Sequence, residues 1–391
     1  MNTPTPIQSN AATPPAYITL TDEQQAAVTA ILHWFDNEPL SREFKLGGFA
    51  GTGKTTILKH LIHELETRKQ PTHIAVMAFT GKAASVLRSK GVRSACTIHS
   101  TIYQANTHTH PVTFSLRHKN DDQIYHLNLF IIDEASMVST ELYNDLKTFN
   151  KKILFVGDPG QLEPVGKNPN LMGKPNLVLK KIHRQAENSD IIQLSCDIRQ
   201  GFPVMVRKPK DGAVCIKKKS LLSEEAIASH SQSICARNTT RQFWNANMRR
   251  HFKRDGIIAV GEKLICLKND PEIGMFNGLM FTVSEIVHVV DGCITVNAIE
   301  EGTNRVHHKL KLWTRGITEP KLNPMTVKED RCPKGWAQVD YGYVITCHKS
   351  QGSEWESVLV IDEPMPAHVW DMKRWRYTAV TRASKFLTYF I

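Results

Sequence analysis

Apolar residues recur along this chain in two rhythms, one with the period of a buried strand and one with the period of a helix face. A short apolar run at 44–49 reads as a buried strand, and the segment after it places Ile57, Leu58, Leu61, Ile62 and Leu65 on one helical face. Upstream, Thr21 or Asp22 is placed to cap a helix whose apolar face is Ala27, Val28, Ile31 and Leu32. Runs at 127–132 and 153–156 predict further strands, as do 233–236, 343–346 and 358–361 in the second half. Strands alternating with helices in both halves predict an α/β architecture. Two stretches break the alternation. Residues 103–126 are polar, His-rich and β-prone, with a strand at 111–116, a turn at 119–122 and a returning strand predicted at 123–126. Residues 258–336 carry short alternating runs at 280–286 and 293–298 behind Asn277-Gly278, a tight-turn signal, and predict a small β-barrel.

Length and composition narrow this picture. A chain of 391 residues exceeds one ordinary core, so two or three domains are expected. No apolar run is long enough to span a bilayer, and residues 1–16, rich in Pro, Thr and Asn, read as a disordered leader. Lys and Arg (49) outnumber Asp and Glu (38), giving a net charge of +11 that favours a polyanionic partner. The eight cysteines are scattered without a C-x-x-C pair, which argues against zinc and for reduced thiols in a cytoplasmic protein. His108 and His110 have no partners at ligand spacing and read as loop residues.

Candidate chemistry sits at the strand ends. Residues 48–55 read G-x-x-x-x-G-K-T between the first strand and its helix, a complete phosphate-binding loop. Gly48, Ala50, Gly51, Thr52, Gly53 and Thr56 let backbone N–H groups surround phosphates at a helix N-terminus. Lys54 is placed for the β- and γ-phosphates of ATP, and Thr55 for Mg²⁺. The next strand ends in Asp133-Glu134, a carboxylate for the Mg²⁺ shell followed by one to polarise the attacking water. The strand at 153–156 runs into 157–165, where Gln161 is placed to sense the γ-phosphate. Gln24 carries an amide able to read both edges of adenine.

With these residues in hand, the chain resembles superfamily 1 helicases of the 5′→3′ branch, with its RecD-like and Dda-like members. The strings GFAGTGKTT (48–56), AFTGKAA (78–84), TIHS (97–100), DEAS (133–136) and GDPGQLEPV (157–165) resemble motifs I, Ia, Ib, II and III. TCHKSQGSE (346–354) and YTAVTRAS (377–384) resemble motifs V and VI, and all seven run in family order. The resemblance implies two RecA-like motor domains, at 17–175 and at 176–257 with 337–391, and ATP between them. It also implies a hairpin pin at about 103–126, an SH3-like barrel at 258–336 and an extended arm within 315–334. Arg382 and Arg184 match phosphate-facing arginines, and Gln351, Gly352 and Glu354 lie near the nucleotide. Thr80, Lys82, His99, Thr346, His348 and Lys349 match strand-contacting positions, while Pro111 and Phe114 resemble the start of the pin. Trp244, Trp355 and Trp375 read as core before they read as base-stacking platforms.

The expected activity is ATP-dependent, 5′→3′ unwinding of DNA in replication, recombination or repair, by a monomer in a bacterial or phage-infected cytoplasm. Its partners would be single-stranded and fork DNA, with a single-stranded-DNA-binding or replication protein, and no membrane. An RNA helicase of the same superfamily and a non-motor P-loop ATPase or kinase remain open alternatives.

Overall fold

The computed structural model describes residues 19–106, 113–163, 168–182, 189–206, 212–290, 293–314, 317, 332–366 and 371–391. The leader at 1–16, Pro111, Arg184 and most of the arm at 315–334 lie outside the described residues.

The first half contributes β1 (Glu43–Gly48), β2 (Ile74–Ala78), β3 (Cys96–Thr97), β4 (Tyr103–Asn106), β5 (Thr113–Leu116), β6 (Leu129–Asp133), β7 (Lys152–Gly157) and β8 (Leu177–Leu179). Six of them form one parallel sheet in the order β3-β2-β6-β7-β1-β8, and β4 pairs with β5 as a separate antiparallel hairpin. All five residues of the predicted helical face are buried in the helix Lys54–Glu66. They pack with Ala27, Val28 and Ile31 against Leu46, Ile131 and Leu154 on one face of the sheet. The alternate residues Phe130, Ile132, Ile153 and Phe155 face the opposite side, against Ile98, Leu142 and Leu146. Both faces are covered by helices, so the parallel strands read as continuous apolar runs.

The second half adds β9 (Val214–Lys217), β10 (Gln232–Cys235), β11 (Lys263–Cys266), β12 (Met280–Val290), β13 (Cys293–Glu300), β14 (Val306–Trp313), β15 (Trp336–Tyr341), β16 (Val344–Thr346), β17 (Trp355–Ile361) and β18 (Ala383–Phe390). A second parallel sheet has the order β16-β10-β17-β18-β9, and β11 to β15 close into a five-stranded barrel with its own core around Phe281, Val296 and Leu312.

Three expectations change. Residues 123–126 are not a returning strand: Asp121 Oδ1 accepts the Gln123 N–H at 2.9 Å and starts the short helix Asp122–Tyr125, which buries Ile124. The return is made earlier, by β5, with Tyr103 opposite Leu116. The boundary at 175/176 is displaced, because β8 adds to the first sheet beside β1. The boundary at 336/337 cuts β15, whose residues seal the barrel between β11 and β14.

Leu61 is fully buried between the helix Lys54–Glu66 and the sheet. Leu61→Ala is expected to destabilise the first domain by about 2–5 kcal/mol, read as a lower denaturation midpoint.

Candidate active site and strand groove

In the first sheet β7 lies between β6 and β1, so the segments leaving these three strands meet at one edge. The turn after β1 is shaped by its glycines. Gly51 and Gly53 hold φ of 78° and 81°, and a Cβ on Gly48 would stand 2.9 Å from both Lys54 Cγ and Thr52 Oγ1. Lys54 folds back over Gly48 and donates to the Gly48 and Phe49 carbonyls at 2.7 and 3.2 Å. Beneath the loop, Thr52 Oγ1 donates to the Phe49 carbonyl and the Gln24 amide donates to the Thr52 carbonyl.

Asp133 ends β6, and burial, reinforced by repulsion from Glu134, pushes its carboxyl up to about 7 while Lys54 pulls the other way. Glu134 has a left-handed backbone, φ 53°, uncommon for a residue with a side chain. Among the described residues, Glu134 Oε2 and Gln161 Oε1 are buried with no hydrogen-bond partner. Unsatisfied buried acceptors are costly, and both line the same cleft, so they point to a polar ligand. Arg382, from the second sheet's domain, is buried and donates to the Thr378 and Ser353 carbonyls and to Thr381 Oγ1. These acceptors are neutral, which leaves the guanidinium charge available to an anion in the cleft.

The cleft measures about 630 Å³. Ala50, Gly51, Gly53, Lys54, Thr55, Thr56, Asp133, Glu134 and Gln161 line it from the first domain, and Gly352, Glu354 and Arg382 from the second. Gln24, Gly48 and Thr52 are not on its surface. Gln24 is 2% exposed, and besides holding Thr52 it accepts the Thr21 N–H in a capping box, so its amide supports the loop rather than facing a base. Gln351 is turned away too, with its amide donating to the Leu162 carbonyl at 2.8 Å. Asp158 and Tyr377 lie inside the strings that resemble motifs III and VI, but the sequence assigned neither a role. Asp158 is fully buried, 4.0 Å from Lys54 Nζ, and accepts the Tyr377 hydroxyl at 2.7 Å. Lys59 and Lys90 also line the cleft.

A second cavity of about 320 Å³ gathers Thr80, Lys82, His348 and Lys349 from the expected strand-contacting set, together with Phe79, Ser139, Asn277 and Gln351. Thr80 caps the helix Gly81–Ser89 by accepting the Ala83 N–H. Lys82 and Lys349 reach barrel residues, the Glu301 carbonyl at 3.4 Å and Asn277 Oδ1 at 3.1 Å. Burial lowers the pKa of both His348 and Lys349. His99 does not line this groove; its ring stacks on Tyr103 at 5.4 Å and meets Phe79 edge-on. Thr346 is buried at the end of β16, and Phe114 belongs to the hairpin strand β5. Trp375 is fully buried in the second domain's core.

Comparison with known proteins agrees with this layout. A profile described as an AAA domain matches residues 19–213, and one described as a UvrD-like helicase C-terminal domain matches 341–388. The ATP-dependent RecD2 DNA helicase of Deinococcus radiodurans is 25% identical over 372 residues, covering 86% of this chain and 45% of that protein. The ATP-dependent DNA helicase dda of Enterobacteria phage T4 is 30% identical over 166 residues, covering 40% of this chain and 37% of its own. The chain thus spans less than half the length of these curated relatives. A crystal structure of Pif1 helicase from Bacteroides, in complex with ADP-AlF3 and ssDNA, superposes with a TM-score of 0.57 at 19% identity, covering 95% of this chain and 92% of that one. The α/β fold with two parallel sheets is therefore the fold of Pif1-like helicases. The chain thus carries an AAA domain and a UvrD-like helicase C-terminal domain, is similar in sequence to the RecD2 and dda helicases, and has the fold of Pif1-like helicases.

Proposed function

We propose that this protein is an ATP-dependent DNA helicase that moves 5′→3′ along single-stranded DNA and separates the duplex ahead of it. The observation that carries this reading is that its two cavities share their walls. The helix Gly81–Ser89 gives Lys82 to the groove and Ala83, Val86 and Leu87 to the cleft. The segment 348–354 gives His348 and Lys349 to the groove, then Gly352 and Glu354 to the cleft. A change at one site therefore bears on the other through continuous backbone, as a motor requires.

In this reading the two sheets are RecA-like motor domains, the barrel at 263–341 is the SH3-like insertion, and the hairpin of β4 and β5 is the pin that meets the fork. Lys54 leaves the loop carbonyls for the β- and γ-phosphates of ATP, and the N–H groups of 50–56 surround them. Thr55 and Asp133 would hold Mg²⁺, which when bound neutralises phosphate charge; the upward-shifted, buried Asp133 carboxyl fits a cation at that point. Glu134, whose Oε2 is unpartnered, accepts the proton of the attacking water, and Gln161 orients toward the γ-phosphate. Arg382 stabilises charge on the transferring group, the role that its sequence match also assigns to Arg184, which lies outside the described residues. Thr80, Lys82, His348 and Lys349 hold the strand, with a single-stranded-DNA-binding or replication protein as a further partner of a monomeric motor.

Lys54→Ala is expected to abolish DNA-stimulated ATP hydrolysis, and Glu134→Gln to bind ATP while slowing turnover by about 10²–10⁴-fold. Arg382→Ala should cost on the order of a thousandfold in kcat. Steady-state ATPase assays with and without single-stranded DNA check all three; near-wild-type rates would remove the motor assignment. On duplexes with one tail, unwinding is expected with a 5′ tail only. The same strand-displacement assay on RNA and DNA duplexes separates the two helicase alternatives. Replacing 105–114 by a short Gly/Ser turn should preserve ATPase yet stop unwinding, whereas unwinding at the wild-type rate would deny the hairpin its role.

A further inference from the structure

Among the described residues, most of the polar contacts between the two domains form a strip on the segment that follows β7. Asp158 accepts from Tyr377, the Leu162 N–H donates to Thr378 Oγ1 at 2.9 Å, the Leu162 carbonyl accepts from Gln351, and Glu163 pairs with Arg374. Tyr377, Thr378 and Arg374 all belong to the helix Met372–Val380, which leads directly into Arg382. On the first domain's side the same segment carries Gln161 into the cleft.

Tyr377 differs from the other members of the strip because its hydroxyl touches two loops at once. It donates to Asp158 Oδ2 at 2.7 Å and accepts the backbone N–H of Ala50, within the phosphate loop, at 2.9 Å. The other oxygen of Asp158 accepts the Gly160 N–H at 2.8 Å, which fixes the carboxylate within 4.0 Å of Lys54 Nζ. The ring is equally constrained: a Cβ on Gly160 would lie 2.9 Å from it, so the turn after β7 admits the tyrosine because Gly160 has no side chain. Burial, with the Asp158 charge beside it, raises the Tyr377 hydroxyl well above its ordinary value, so it remains a donor throughout the physiological range. Packing alone would be satisfied by phenylalanine. A hydroxyl that serves a carboxylate beside Lys54 and an amide of the phosphate loop does more than fill space.

We propose that Tyr377 is the positioning residue through which the second domain sets the phosphate loop: its hydroxyl holds Ala50 and Asp158, and through Asp158 it places Lys54. The inference rests on the reading of the cleft as an ATP site in a DNA-driven motor. Tyr377 touches no substrate in this account. It acts when the strand draws the domains into register, by making the loop's geometry depend on the position of the helix that also delivers Arg382.

The test is Tyr377→Phe, which removes one oxygen and keeps the ring. ATPase is measured at saturating single-stranded DNA, with the rate normalised to sites that bind a fluorescent ATP analogue so that unfolded protein does not count. The expected result is a fall in kcat of about tenfold, the scale of one lost positioning contact, with the KM for ATP changed less than twofold. Asp158→Asn in the Tyr377→Phe background should cost little more, because the two residues act as one unit. Should Tyr377→Phe fold poorly, Gly160→Ala displaces the ring and is expected to give the same kcat-selective loss. A kcat per site within twofold of wild type in the variant that folds would overturn the proposal. A raised KM with kcat preserved would also overturn it, by assigning the hydroxyl to nucleotide binding. The wild-type control keeps the two levels apart: if wild-type hydrolysis does not respond to DNA, the motor reading fails, and Tyr377 as its coupling residue fails with it.

Discussion

A polar cleft split between two sheets is the constraint from which the other features follow. The loop, Asp133, Glu134 and Gln161 belong to one sheet, and Arg382 belongs to the other. Each half is well packed by itself, with apolar clusters on both faces of its sheet. The junction is different: Leu162, Phe49 and Ala50 give it a small apolar part against the second domain's core, and beside it stand individually placed polar contacts, several of them buried, between the segment at 158–163 and the helix Met372–Val380. An apolar junction would fix the domains in one arrangement. Polar contacts of this kind are directional and can be exchanged for others, which suits domains that must close and reopen around a ligand.

The cleft stores its readiness in unsatisfied groups. Glu134 Oε2 and Gln161 Oε1 are buried without partners, Glu134 holds a left-handed backbone, and Asp133 carries a carboxyl that burial makes reluctant to ionise. An acceptor left unpaired in a buried position costs about 1–3 kcal/mol, so these groups favour a polar occupant of the cleft. A water, a cation and a phosphate group would give the Glu134, Asp133 and Gln161 side chains partners together. The cost is localised to the ends of β6 and β7, where strands buried on both faces hold the strained residues in place.

Local signals were legible in the sequence and nonlocal ones were not. The face of Ile57, Leu58, Leu61, Ile62 and Leu65 is buried as its spacing predicts, since 3.6-residue periodicity needs no partner to be recognised. The returning strand was misplaced because Asp121 can start a helical turn through its own side chain, and the chain there follows the cap rather than the β-prone composition. Both displaced boundaries involve short strands, β8 and β15, whose partners are far away in sequence. At the site, the phosphate loop, the acidic pair and Arg382 were visible because each lies in a contiguous pattern. Gln24 carried a second local signal: Thr21 and Gln24 have capping-box spacing, and in this structure the amide is engaged by that cap and by the Thr52 carbonyl. Tyr377 opens the motif VI string, but nothing in the sequence assigned it a role of its own, since a tyrosine on an amphipathic helix reads as core until its hydroxyl is found between two distant loops.

The helix Gly81–Ser89 and the segment 348–354 line both cleft and groove, and from this shared wall we infer that the two form one coupled system. Coupling of this kind is reciprocal, so it is measurable without turnover. The direct measurement is the affinity of a fluorescent single-stranded DNA oligonucleotide at fixed salt, with and without a saturating non-hydrolysable ATP analogue, together with the analogue's affinity with and without DNA. Each ligand is expected to change the other's dissociation constant by the same factor, on the order of 5–150-fold. Affinities that are identical in the presence and absence of the second ligand would contradict it.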